Sequence, residues 1–448
     1  MRTARARDWA GAAAGLFTVA WGANQFASML VAYHQQRGLT PAVNDALFGI
    51  YAVPLMAALL LCGPAGDRWG RVRVVRPAIL LSILATVALM AGSESTALLF
   101  VGRFAAGASS GAIFAVGTVW VRELSAAAAP GIGEHAGPRR AATALSLGFG
   151  LGPLATGIIA QWSPLPLVVA YVPHLVITLL AMPAVWRAPE TAPSAADGPG
   201  LLARLRIHGV GSPRFLTVVA PAAPWVFAAP AIAIAVLPTL VSGRTHGLSL
   251  LFSGVTAGLT LAAGVAVQPL ARRLDALSGL AATTAALGMS AAGMAVAAVA
   301  AALTNPWLVL AAGLILGTGY GLGLVSGLLE THRLAGPGQA AGLTAVYYIL
   351  TYVGFGLPLL LAVLNRLASY PVLLGALAAL AAVTIPVTWL GARYSERAAR
   401  DRPPPPRPPA NSTAFQLLTE VGQVLTPALP VRDPRARCRV PRGRRRSG

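Results

Sequence analysis

Residues 63–76 read GPAGDRWGRVRVVR, with one aspartate and four arginines. An apolar run, AVPLMAALLLC (52–62), precedes them, and another, PAILLSILATVALMAG (77–92), follows. So much charge in one short turn between two greasy segments marks a place where a chain leaves a bilayer and re-enters it. The rest of the sequence supports that setting. Of 448 residues, 56% are hydrophobic and only 11% are charged, and the mean hydropathy is +0.67. Soluble domains carry about a quarter charged residues.

All 34 basic residues are arginine, which we read as base bias of the coding sequence. A phosphate-binding P-loop needs a lysine, so an ATP-driven pump of that type is excluded within this chain. Cys62 and Cys438 lie far apart and show no metal-ligand spacing. No disulfide framework, metal or cofactor is expected. The net charge of +20 would suggest nucleic acid in a soluble protein. Here the placement of the charge decides, and no nucleic-acid partner is expected.

A helix needs about 20 apolar residues to cross a bilayer. Twelve stretches qualify, at roughly 9–33, 44–63, 74–93, 97–121, 141–162, 166–186, 214–240, 248–270, 277–302, 306–329, 338–363 and 370–392. With the N-terminus in the cytoplasm, thirty arginines fall in inside segments, three outside and one within a span. Positively charged residues favour the cytoplasmic side, so both termini are expected there, in a multi-pass protein of the cytoplasmic membrane. A segment rich in Pro, Gly and charge, 188–213, divides the spans six and six. The expected organisation is an all-α membrane protein of two six-helix bundles, 1–187 and 214–392, joined by that linker. From 393 to 448 a Pro/Arg-rich tail reads as disordered. It touches anionic lipid or is simply a solvated basic tail. The pattern Gly63-x-x-x-Asp67-x-x-x-Arg71 returns as Gly264-x-x-x-Gln268-x-x-x-Arg272, as in transporters built from parallel six-helix repeats.

The opening stretch, Gly63-x-x-x-Asp67-Arg68-x-Gly70-Arg71-x-Arg73, resembles the loop motif between helices 2 and 3 of the major facilitator superfamily. The resemblance covers roughly 9–392 and implies a loop that latches the two bundles together in the outward-open state. Its implied partners are Glu123 and the start of the eleventh span near Gly338. The plain alternative is an arginine cluster that sets topology. In the fourth span, Arg103 with Gly107 and Gly111 looks like the family's helix 4 motif, whose arginine is linked to proton transfer. Alternatively, Arg103 snorkels to the outer surface. In the fifth span, Gly148, Gly152, Pro153, Thr156 and Gly157 resemble the antiporter motif of the drug-efflux branch, with Thr156 in place of one glycine. Ordinary small-residue packing is the alternative.

Other polar residues of the spans are candidates for a central cavity. Asn24 and Gln25 are costly in lipid and should face inward, with Trp21, as substrate contacts or as interhelical glue. Tyr347, Tyr348 and Tyr352 form an aromatic wall or packing. His174 titrates or is structural. Asp45, Glu123 and Glu330 lie only at span ends, which favours a neutral or anionic substrate, or coupling through Asp67, Glu123 and Arg103; Arg103, Asp45 and Glu330 are the candidates for proton coupling. The expected protein is a monomeric secondary transporter in lipid, exporting a small organic molecule in exchange for protons. The alternatives are a same-fold importer or uniporter and, further off, a membrane sensor using the basic tail. The sequence holds no HExxH and no His/Cys cluster, so no enzyme is expected.

Overall fold

The computed structural model describes residues 7–128, 136–192, 209–335 and 340–400. Among them every regular element is helical, as backbone that must satisfy its own polar groups in lipid requires. The run α1 occupies 8–37 in three pieces: Asp8–Gln25, a 3-10 turn Phe26–Met29, and Leu30–Arg37. Then follow α2 (Pro41–Trp69), α3 (Arg71–Ala91), α4 (Thr96–Ala128), α5 (Ala136–Trp162), α6 (Pro166–Arg187), α7 (Phe215–Leu240), α8 (Ser249–Leu277), α9 (Ala281–Leu303), α10 (Pro306–Leu334), α11 (Gly342–Leu364) and α12 (Tyr370–Ala398). Each of these eleven is long and apolar enough to cross a membrane.

Three expectations change. The first span is not one unbroken helix. Its turn follows the polar pair Asn24-Gln25, and Ser28 within it donates to the Pro153 carbonyl of α5 at 2.7 Å. The charged motif is not a loop either. Helix α2 runs through Trp69, α3 begins at Arg71, and Gly70 alone makes the turn, at φ +104°. Lastly, the helix that begins at Tyr370 continues to Arg400, past the expected start of the tail at 393. Residues 193–208 of the linker, Gly338 and 401–448 lie outside the described residues.

The packing repeats between the first six helices and the last six. A methyl group on Gly107 or Gly111 of α4 would overlap the Tyr51 and Leu55 carbonyls of α2. One on Gly317 or Gly321 of α10 would overlap the Thr260 and Gly264 carbonyls of α8. Glycines thus bring the paired backbones together where large side chains would hold them apart. Helices α3, α6, α9 and α12 turn apolar side chains outward: Leu84, Leu180, Val299 and Leu390 are 63%, 75%, 50% and 64% exposed. Apolar surface on that scale belongs against lipid.

Candidate functional site

The end of the helix array that carries Gly70 is here called the motif end. Glycine is required at 70 twice over, by its positive φ and because a Cβ there would collide with Glu190. The turn leaves the first N–H groups of α3 without helical partners. Glu190, just past α6, accepts from the amides of Arg71 (2.8 Å) and Val72 (2.9 Å). Arg71 is 7% exposed. Its guanidinium meets Asp67 at 2.6 Å and Glu123 of α4 at 2.9 Å. Thr191 donates to Glu123 as well, and Trp120 donates to the Pro189 carbonyl at 3.0 Å. The start of the linker is therefore bound to the motif. Asp67 is half exposed, Arg68 is half-buried, and Arg73 is exposed, donating to the Trp69 carbonyl. Gly63 packs against nothing within 4 Å. The close contact expected of it falls on Gly66, whose added Cβ would lie 3.0 Å from Val116.

The last six helices have their own cluster at this end. Glu330 pairs with Arg214 and, at 3.2 Å, with Arg333, while Arg333 also pairs with Asp275. The sequence repeat at Gly264, Gln268 and Arg272 does not supply it: Arg272 is exposed, and Asp275 takes the place of the acid. Glu330, read as a coupling residue, is held by two arginines.

About two turns into α4 from the end opposite the motif, Arg103 is 2% exposed, so it does not snorkel. Its Nε donates to the Leu47 carbonyl at 3.0 Å, and Nη2 to the Phe48 carbonyl at 3.2 Å. Nη1 lies 3.5 Å from the Ala23 carbonyl. The guanidinium carbon sits 4.5 Å from the ring centres of both Phe26 and Tyr51, within cation–π range. Among the described residues no carboxylate pairs with it. Asp45 is 5% exposed and has no described hydrogen bond or ion pair.

An aromatic cluster joins the two sets of helices next to Arg103. Phe48 of α2 stacks on Phe355 of α11 at 5.0 Å, with Tyr51 beside them at 6.3 Å. Phe227 of α7 stacks on Tyr352 at 4.5 Å and on Tyr320 at 5.6 Å. Tyr352 therefore lies in the cluster, with Tyr348 packed at its edge. Tyr347 is turned away and donates to the Gly323 carbonyl at 3.0 Å. Gln25 donates to Thr86, which bonds His174 at 2.8 Å, so both belong to a buried network within the first six helices. Asn24 is half-buried. Trp21 is buried, with its indole N–H lacking an acceptor among the described residues.

Helix α5 completes the site. Added Cβ atoms on Gly148 and Gly152 would lie 2.5 and 2.7 Å from the Phe17 and Trp21 carbonyls of α1. Thr156 donates to the Gly152 carbonyl at 2.7 Å, which hides its hydroxyl. Gly157 meets Gly254 of α8 backbone to backbone, 2.7 Å from an added Cβ. One turn further, the Gln161 carbonyl oxygen accepts from the Leu250 and Leu251 amides, both at 3.1 Å, and its amide donates to the Gly247 carbonyl at 2.9 Å. Ser249 donates to Gln35 at 3.1 Å. These are the described hydrogen bonds that cross between the two sets of helices, and all lie at the end opposite the motif. Glu190, Ser28, Gln161, Phe227 and Phe355 were not singled out in the sequence. A lone acid among prolines at the foot of the sixth span was the one available signal, for Glu190.

A helix array with one sealed seam has relatives. The structure resembles a POT family transporter solved with 5-aminolevulinic acid (TM-score 0.70, 12% identity, covering 87% of this chain and 96% of that one). It also resembles a POT peptide transporter solved with sulfate (0.69, 15%, 88% and 95%) and the nucleoside transporter NupG (0.66, 11%, 86% and 100%). At those identities the likeness shows the fold. No curated protein matches the chain in sequence. The sequence profile of the Major Facilitator Superfamily matches residues 12–358. Paired packing of α2 with α4 and of α8 with α10, a seam between α5 and α8, and that match over most of the chain make this multi-pass membrane protein a transporter of the major facilitator superfamily.

Proposed function

We propose that the chain exports a small organic molecule across the cytoplasmic membrane by alternating access, in exchange for protons. The observation that carries this reading is the asymmetry of the seam. Helices α5 and α8 touch backbone to backbone at the end opposite the motif, whereas the described ion pairs at the motif end stay within the first six or the last six helices. The arginine placement supports a cytoplasmic motif end, with both termini there. On this reading, substrate loads from inside in the state seen here. Rocking the bundles 1–187 and 214–392 about the aromatic cluster would close the motif end and open the other. Asp67 and the start of α11 serve as the latch of that second state. Asp45, buried and with no hydrogen bond or ion pair among the described residues, is the proton carrier, because a carboxylate so placed is costly unless it is neutral or functional.

Arg103 faces carbonyls rather than an acid, which favours a second reading, an uncoupled carrier of the same fold. Proteoliposomes enclosing a pH dye separate the two. Antiport predicts that substrate added outside enters as protons leave, so the dye reports internal alkalinisation, lost in Asp45→Asn. Substrate movement with a silent dye would establish the uncoupled carrier.

A further inference from the structure

A cavity of about 600 Å³ opens at the motif end between α1 and α5. Trp9, Ala13, Phe17 and Leu147 give it apolar walls, and among the described residues its charged lining is Arg139 and Arg140, with no acid. Helix α5 leaves α8 just above it. A Cβ added to Gly258 would lie 3.5 Å from Leu154 and 3.6 Å from the Gly150 carbonyl, while Leu147, one turn lower, is 50% exposed. The cavity thus begins where the seam ends, which is where a substrate entering from the motif end would first be held.

The charged groups here are two guanidiniums, and Thr143 beside them donates to the Arg139 carbonyl. The Arg140 guanidinium lies over the Trp9 ring, its carbon 3.9 Å from the ring centre. That contact holds the guanidinium against the ring face by a cation–π interaction. Neither Arg139 nor Arg140 has a described ion pair or side-chain hydrogen bond. Both sit in the first turns of α5, where the helix dipole also favours negative charge. Further along the same face of α1, Phe17 contacts the Trp21 ring edge-on at 5.9 Å, and the Trp21 N–H has no described acceptor.

We propose that this cavity is the entry site for the transported substrate, and that the substrate is an organic anion with an apolar body. The proposal rests on the transporter reading above. Apolar walls take the body, the arginine pair takes the charge, and organic cations are turned away. Guanidinium groups bind carboxylate or sulfonate oxygens through two parallel N–H bonds.

The test is calorimetric titration of the purified full chain in phosphatidylcholine nanodiscs. The probes are naphthalene-2-sulfonate and its cationic counterpart, naphthalen-2-ylmethylammonium. Saturable sulfonate binding is expected, with at least a tenfold loss in R139Q/R140Q and no binding of the ammonium compound. Thr143→Trp, which fills the cavity and leaves the arginines in place, should abolish binding too. Equal affinity for both probes, or unchanged sulfonate affinity in both variants, would overturn the proposal. Loss of sulfonate binding when phosphatidylglycerol is added to the discs would make the occupant a lipid headgroup and would also overturn it. Titration reads the site without turnover. Transport of other compounds alongside silent titrations would therefore refute the anion site alone. Normal titrations with no flux of any compound would refute the transport reading.

Discussion

Arg103 is the costliest residue in the membrane-spanning part, and its surroundings say what it does. Three carbonyls from two helices converge on one guanidinium, at the point where α2 changes from Pro41–Ile50 to Ala52–Trp69. Ala23 lies just before the 3-10 turn of α1. Arg103 therefore fixes two bends at once, and the fork of donors matters more than the charge. Arg103→Gln should lose charge-assisted bonds worth roughly 1.5–3 kcal/mol each, lowering the thermal midpoint in detergent and slowing transport. Arg103→Lys should fail almost as badly, since an ammonium group cannot span the three carbonyls. Full transport in the lysine variant would show instead that charge is what counts. The sequence marked Arg103 as unusual but left two readings open, because the choice depends on backbone from α1 and α2, far away in the chain.

Among the helices, α5 shows how closely small-residue packing and mechanism overlap. Gly148 and Gly152 seat it on α1, and Gly157 seats it on α8. Only the last contact is expected to break during a transport cycle. Gly157→Ala should overpack the seam by about 1–3 kcal/mol, a shift of roughly 5- to 150-fold in the balance between end states. The readout is alkylation at Ser253→Cys by a membrane-impermeant maleimide. Ser253 is fully buried, and labelling should rise by that factor in the Gly157→Ala background, with an unchanged rate contradicting the moving seam. The glycine–proline pattern of α5 was visible in the sequence, though not the partner helix of each glycine. The break in α1 was not legible, since the bond from Ser28 to Pro153 appears only once α1 and α5 are packed. Tyr352 stood out in a row of tyrosines, whereas its partners Phe227 and Phe355 look like any other apolar residue.

At the scale of the whole molecule, composition and the spacing of apolar runs sufficed for a helical membrane array. The motif at 63–76 sufficed to suggest its family. What they could not supply was the conformational state. Asp67 and Arg71 are placed in sequence whether or not the latch is engaged, and only the structure shows Arg71 committed to Asp67 and Glu123. The central claim is that the α5–α8 seam must open for each transport event. Gln161→Cys and Leu250→Cys, in a chain with Cys62→Ser and Cys438→Ser, place two thiols across that seam. A short bifunctional thiosulfonate would tie them together in proteoliposomes. Transport should then stop, and it should return when the link is reduced. Transport that continues at the unlinked rate with the tether in place would contradict the account.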